Sequence, residues 1–212
     1  MAKASRIKAI ETVYGGCRFR SRLEARWAVF FDAVGLTWHY EPEGFELPCG
    51  THYLPDFLIP GVDGGNDCYF EIKPYTPTKA ENGCIHCKTD PKVAAAREAG
   101  LYLVQLNGIE NTHTPHRVYS FDHPYEDTNY GWAVCPYSGR VGIAYAHRGA
   151  RVCPDHPHNT DTPKKEHIGQ WFLDNPGSNW QHGNKAYSGD HPTIVNAFLR
   201  ANMARFEHGE RG

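Results

Sequence analysis

No apolar run in this chain is long enough to cross a bilayer, and the charged and apolar fractions are those of an ordinary globular protein, so no membrane partner is expected. Residues Met1 to Arg6 contain neither the apolar stretch nor the small-residue cleavage site of a secretory signal, which predicts a cytoplasmic location. A basic surplus is missing as well. The formal net charge of −2 argues against a protein that coats nucleic acid through bulk electrostatics, because neutralising phosphate needs clustered Lys and Arg. The cysteines number 7, an odd count at irregular spacing, which speaks against a disulfide scaffold and for a reducing compartment. No Gly-rich loop precedes a helix to cradle phosphate, since Gly61 to Gly65 falls in a hairpin, and no Ser, His, Asp nucleophile pattern stands out. A hydrolase of small phosphates therefore has little support. Internal repeats and low-complexity tracts are also lacking.

What is present begins with length. A chain of 212 residues buries one good core and at most a small second module. From Ser21 to Val34, Leu23, Trp27, Phe30, Phe31 and Val34 recur at helical spacing before Gly35, which predicts an amphipathic helix. Thr37 to Tyr40 and Gly44 to Leu47, separated by Pro42, read as one strand that bends. His52 to Ile59 reads as a strand, Pro60 to Asp67 as a turn and Cys68 to Lys73 as the returning strand. A second helix is expected over Lys88 to Gly100, with Asp90 as N-cap and Pro91 in the first helical position, followed by an apolar strand from Leu101 to Leu106. This order predicts an α/β (α+β) fold with a mixed central sheet flanked by helices.

Beyond Gly108 the aliphatic periodicity fades while His, Pro, Asn, Tyr and Trp become frequent, which divides the chain into a core at residues 1–110 and an appendage at 111–212. Within the appendage a small hairpin is expected over Trp132 to Val152, a loop-rich stretch over His156 to His191, and a helix from Pro192 to about Glu207. That helix carries Val195, Phe198, Leu199, Met203 and Phe206 on one face, expected to pack on the core.

Chemistry is concentrated in Pro55-Asp56 and Glu71-Ile72-Lys73. With alternation along a strand and a turn centred between residues 63 and 64, Asp56 falls opposite Glu71, near Lys73. Like charges facing each other across a sheet need neutralising, and carboxylate oxygens suit Mg²⁺ or Mn²⁺. A carboxylate-held cation with a neighbouring lysine is the apparatus for phosphodiester hydrolysis, with Lys73 orienting or deprotonating water or contacting the phosphate. The alternative is a surface ion pair of Glu71 with Lys73 beside a solvent-facing Asp56.

These residues, in this order of elements, resemble the PD-(D/E)XK nuclease superfamily, also called restriction-endonuclease-like, over roughly residues 14–106. The stretch Phe19-Arg20-Ser21-Arg22-Leu23-Glu24-Ala25-Arg26-Trp27 is similar to phage-encoded nuclease-like members. The resemblance implies a Mg²⁺-dependent deoxyribonuclease, expected to be an endonuclease of phage or mobile-element DNA processing, working in host cytoplasm if phage-encoded. It implies that Asp56, Glu71 and the Ile72 carbonyl hold the metal, that Lys73 assists catalysis, and that Glu24 adds a helix carboxylate. Glu24 has a second reading, because Ser21-x-x-Glu24 is also a capping box. A non-catalytic module of the same fold, binding nucleic acid or a protein, is the competing function.

Further peripheral readings complete the set. Arg18, Arg20 and Arg22, with Arg26, form either a DNA-phosphate patch or an ion-paired helix face. Glu41 and Glu43 read as outer groups of the site or as a solvated turn, and Lys92 and Arg97 face DNA or water. Cys84 and Cys87 have the spacing of half a zinc site, and Cys135 and Cys153 resemble degenerate ribbon knuckles with Ser138 in place of a cysteine. Together the four cysteines form a candidate structural Zn²⁺ site, with His156 replacing one of them or His147 and His158 as further alternatives; otherwise they are free thiols. A homodimer is expected if both strands of a duplex are cut.

Overall fold

The computed structural model describes residues 10–74, 77–79, 85–87, 89–109, 121–122, 130–134, 138–145, 149–150 and 191–206. Its architecture is mixed α+β, with three helices and a mixed central sheet among the described residues. A short hairpin, β1 (Thr12–Tyr14) and β2 (Cys17–Phe19), leads into helix α1 (Arg22–Ala33). Ser21 caps α1 as expected, its hydroxyl accepting the Glu24 amide.

The central sheet runs β11 (Phe121–Asp122), β10 (Leu103–Asn107), β7 (Asn66–Lys73), β6 (Phe57–Asp63), β3 (His39–Tyr40). Among the described strands only β7 and β10 pair in parallel, and the crossover between them carries helix α2 (Pro91–Glu98), capped by Asp90. A separate pair, β4 (Phe45–Glu46) and β5 (His52–Tyr53), lies outside that sheet. The stretch read as one bent strand is therefore two strands in different sheets. Likewise His52 to Ile59 splits at Leu54 to Asp56, where Pro55 removes an amide from the ladder. A further pair, β8 (Pro77–Lys79) and β9 (Ile85–Cys87), follows β7.

The β6–β7 hairpin reaches the expected register by an unexpected route. Its tip is Gly64-Gly65, both with positive φ (58° and 98°), flanked by the pair Asp63 and Asn66. A straight hairpin from that tip would set Asp56 opposite Lys73. A bulge between Ile59 and Asp63 instead shifts the ladder, so that Phe57 pairs with Phe70 and Leu58 with Tyr69. Continued by one step, this register sets Asp56 against Glu71. Gly61 makes the bulge, with φ 63° and its amide bonded to Asp67 Oδ1 at 2.9 Å.

One face of the sheet carries Phe57, Ile59, Cys68, Phe70, Ile72, Val104 and Leu106 into the main core against Trp27, Phe30 and Phe31 of α1. The same core takes in Trp132 and Val134 of β12 (Tyr130–Val134), Val141 and Ile143 of β13 (Val141–Tyr145), and helix α3 (Pro192–Met203). Strand β14 (Gly149–Ala150) completes a three-stranded sheet with β12 and β13, where a hairpin was expected. Hydrophobic contact thus runs continuously across position 110. Helix α3 packs on the core but presents Ile194, Ala197, Phe198 and Ala201, while Met203 is 76% exposed, so the apolar stripe is rotated from its expected position. The opposite face of the sheet holds a smaller cluster of Leu47, Tyr53, Val93, Ala96 and Leu103. No described helix is long and apolar enough to cross a membrane.

Candidate active site

Asp56, Glu71 and Glu24 are all buried, although each is a carboxylate. Their partners explain how they are tolerated. Asp56 stands just before β6, and its Oδ2 accepts the Ile72 amide at 2.7 Å, so the side chain takes the rung where a backbone carbonyl would otherwise sit. Because N–H and C=O of one strand residue project to the same side, the Ile72 carbonyl also faces the end of β6. Oδ1 of Asp56 accepts Arg20 Nη2 at 2.6 Å. Glu71 accepts Lys73 Nζ on Oε1 at 2.6 Å and the Tyr53 hydroxyl on Oε2 at 2.8 Å. Lys73 lies also 3.7 Å from Asp90, the N-cap of α2.

Glu24 takes part in the cap of α1, in a variant of the expected capping box. As the N3 residue of α1 it exchanges bonds with Ser21, taking the hydroxyl on Oε1 at 2.7 Å. Its Oε2 reaches back one residue further than a standard capping box, to the Arg20 amide at 3.1 Å, and accepts the Tyr40 hydroxyl at 2.6 Å. The cap thereby holds a carboxylate close enough to Asp56 for its charge to be felt.

The protonation pattern follows from this crowding. Burial, then the charge of Glu71, push Asp56 up from 3.8 to about 8; Glu24 adds to this, and the Ile72 amide and Arg20 oppose it without prevailing. Burial works against the charge of Lys73, but the hydrogen bond and charge of Glu71, with Asp90 and Asp56, outweigh it and raise its pKa. Lys73 is thus held as a cation. The Tyr53 hydroxyl is raised by burial and then by Glu71, so it remains a proton donor.

The donor set fits a hard divalent cation. Two buried carboxylates and a carbonyl at the end of a strand offer only oxygen, the donor type a hard cation takes. Among the described residues no group of three or more His, Cys, Asp or Glu is gathered closely enough to hold a metal by itself. Asp56, Glu71 and the Ile72 carbonyl are the oxygen donors on which a cation could draw here, with Glu24 nearby.

The arginines of this stretch take different partners. Arg18 pairs with Glu11 at 2.7 Å in solvent, Arg20 turns to Asp56 and Glu41, and Arg22 begins α1 half-buried. Arg97 donates from Nε to the Leu103 carbonyl at 2.9 Å, tying α2 to β10, whereas Lys92 is exposed. Glu43 accepts the Tyr69 hydroxyl, and Glu41 belongs to the Arg20 contact. Cys84, Cys135, Cys153, His147, His156 and His158 lie outside the described residues, as does the side chain of Cys87.

Sequence reasoning missed four contributors to the site. Tyr53 comes from β5 and Asp90 from the N-cap of α2, where the sequence showed a helix start but no link to Lys73. Gln105 lies in register with Glu71 and Asn107 with Lys73, both buried, and Gln105 Oε1 accepts the Asp90 amide at 2.7 Å while its Nε2 donates to Asn107 Oδ1 at 2.7 Å. Their signal was available: polar residues at alternate positions of an otherwise apolar strand. No protein-family model, curated protein or solved structure matches the chain.

Proposed function

We propose that the protein is a Mg²⁺- or Mn²⁺-dependent DNA nuclease that hydrolyses phosphodiester bonds internally, in the manner of the PD-(D/E)XK nucleases its motifs resemble. The observation that carries this reading is the burial of Asp56 and Glu71 side by side with Lys73 at one end of β6 and β7. Asp56, Glu71 and the Ile72 carbonyl would hold the cation, and Glu24 would add negative charge behind it. The cation would supply neutralisation of phosphate charge and acidification of a water. Lys73, kept protonated by Glu71 and Asp90, serves as a fixed positive charge for the phosphate oxygens and not as a base. Tyr53 and the cap at Ser21 fix the orientation of the two glutamates.

Plasmid and oligonucleotide cleavage with Mg²⁺ or Mn²⁺ tests the reading. Asp56→Ala and Lys73→Ala are each expected to lose at least about a hundredfold in rate, the scale of removing one charge-stabilising group. Variants as active as the parent chain would refute the assignment. The same reading carries a structural Zn²⁺ on Cys84, Cys87, Cys135 and Cys153, checked by the metal content of purified protein. It also carries a homodimer, checked by sedimentation.

A second reading is a nuclease-fold module that binds nucleic acid or a protein without turnover. It is favoured by the internal pairing of Arg20 with Asp56 and of Lys73 with Glu71, which gives each carboxylate a protein cation. DNA binding with no cleavage under any divalent metal would decide for it.

A further inference from the structure

Both oxygens of Asp56 are engaged, and the two engagements differ in kind. The Ile72 amide on Oδ2 is fixed by the ladder of β7. The Arg20 guanidinium on Oδ1 belongs to a side chain 56% exposed, on the residue before the N-cap of α1, whereas the Asp56 side chain is only 4% exposed. Arg20 therefore reaches in from solvent. A second anchor holds it at the rim, where its Nε lies 2.7 Å from Glu41 Oε1.

Glu41 is set apart from the other described non-glycine residues by its backbone, with φ at 45° in the left-handed region. A residue with a side chain is disfavoured there, and such strain persists where its surroundings enforce it. Here the Glu41 amide is bonded to the Asp56 carbonyl at 2.9 Å. Glu41 is thus tied to Asp56 through the backbone and to its counter-ion through the side chain.

We infer that Arg20 is a built-in counter-ion that a divalent cation must displace from Asp56, with Glu41 retaining the guanidinium after displacement. This rests on the metal-site reading above. The amide-bound Oδ2 is fixed in the sheet, so Oδ1 is the oxygen to be freed, and a guanidinium and a dication on one oxygen repel each other. Displacement leaves the guanidinium, on a side chain already 56% exposed, with one carboxylate partner, Glu41. Arg20 thereby offsets the charge of Asp56 and sets a threshold cation concentration for loading the site.

The test is a Mn²⁺ titration of the full chain at one pH by calorimetry and thermal shift, with folding checked by circular dichroism. Arg20→Gln is expected to bind Mn²⁺ at least about tenfold more tightly, and Glu41→Gln about threefold or more weakly, an opposition that general damage does not produce. Arg20→Lys, a point charge that does not bridge two carboxylates, is expected between parent and Arg20→Gln, and it serves alone if Arg20→Gln does not fold. Unchanged or weaker binding in the arginine variants overturns the inference. Asp56→Asn separates the two levels. If it titrates like the parent chain, the metal site itself is wrong and the counter-ion falls with it; Asp56-dependent binding that ignores Arg20 removes only the counter-ion.

Discussion

The two faces of the central sheet are built from the same strands and do opposite work. On β7, Cys68, Phe70 and Ile72 enter the aromatic core, while Tyr69, Glu71 and Lys73 point to the other side; on β10, Val104 and Leu106 alternate with Leu103, Gln105 and Asn107. Phe31 by itself meets the rings of Trp27, Phe30, Phe57, Phe70 and Trp132, tilted or edge-on. The opposite face has only a small apolar cluster, and beside it a row of buried polar groups. A thick core on one side lets the sheet carry charges on the other, because strand position is already set by packing that the charges do not touch.

The largest effect should come from the thick face. Phe31→Ala is expected to cost about 3–5 kcal/mol in urea unfolding, the loss of a large buried ring and the cavity it leaves. Leu103→Ala on the thin face should cost less, about 2–3 kcal/mol, because its smaller cluster can close around the gap. Equal losses would break the comparison.

The polar row offers a sharper probe through pH. Folding raises the Asp56 pKa, so the folded state keeps a proton that the unfolded chain releases near 3.8, and stability is lost as pH rises from there through about 8. Without metal, Asp56→Asn should remove this slope and gain about 1–3 kcal/mol over the parent at the upper end of that window, read as the difference between melting curves across pH. A parallel pair of curves would mean that Asp56 is not held in the crowded state described here. Smallest is Tyr53→Phe, which removes one hydrogen bond to Glu71 and should cost about 1 kcal/mol in chemical denaturation.

Helix α1 was legible because its signals are local: a serine cap, a glutamate three residues later and apolar residues at helical spacing. Asp90 and Pro91 marked α2 in the same way. The pairing of Asp56 with Glu71 was legible too, although by compensation, since the true turn lies one position later than expected and the bulge at Gly61 restores the ladder. The division of Thr37 to Ile59 among four strands was not legible, because β4 and β5 pair with each other outside the central sheet while β3 and β6 pair within it. The rotation of α3 was hidden for a similar reason: Val195 and Met203 are as apolar as Ile194 and Ala201, and only the shape of α1 opposite selects between them.

By itself the sequence determined which chemical groups exist, where helices begin and which residues of β7 share a face, because caps and the two-residue period act over a few bonds. Tertiary structure decided the partners of each charge. Arg20, read as a hand for DNA, reaches Asp56 across 36 positions, and Tyr53 reaches Glu71 across 18. Such contacts depend on how the β2–α1 turn and the β5 strand close over the end of the sheet, and no local pattern encodes that closure.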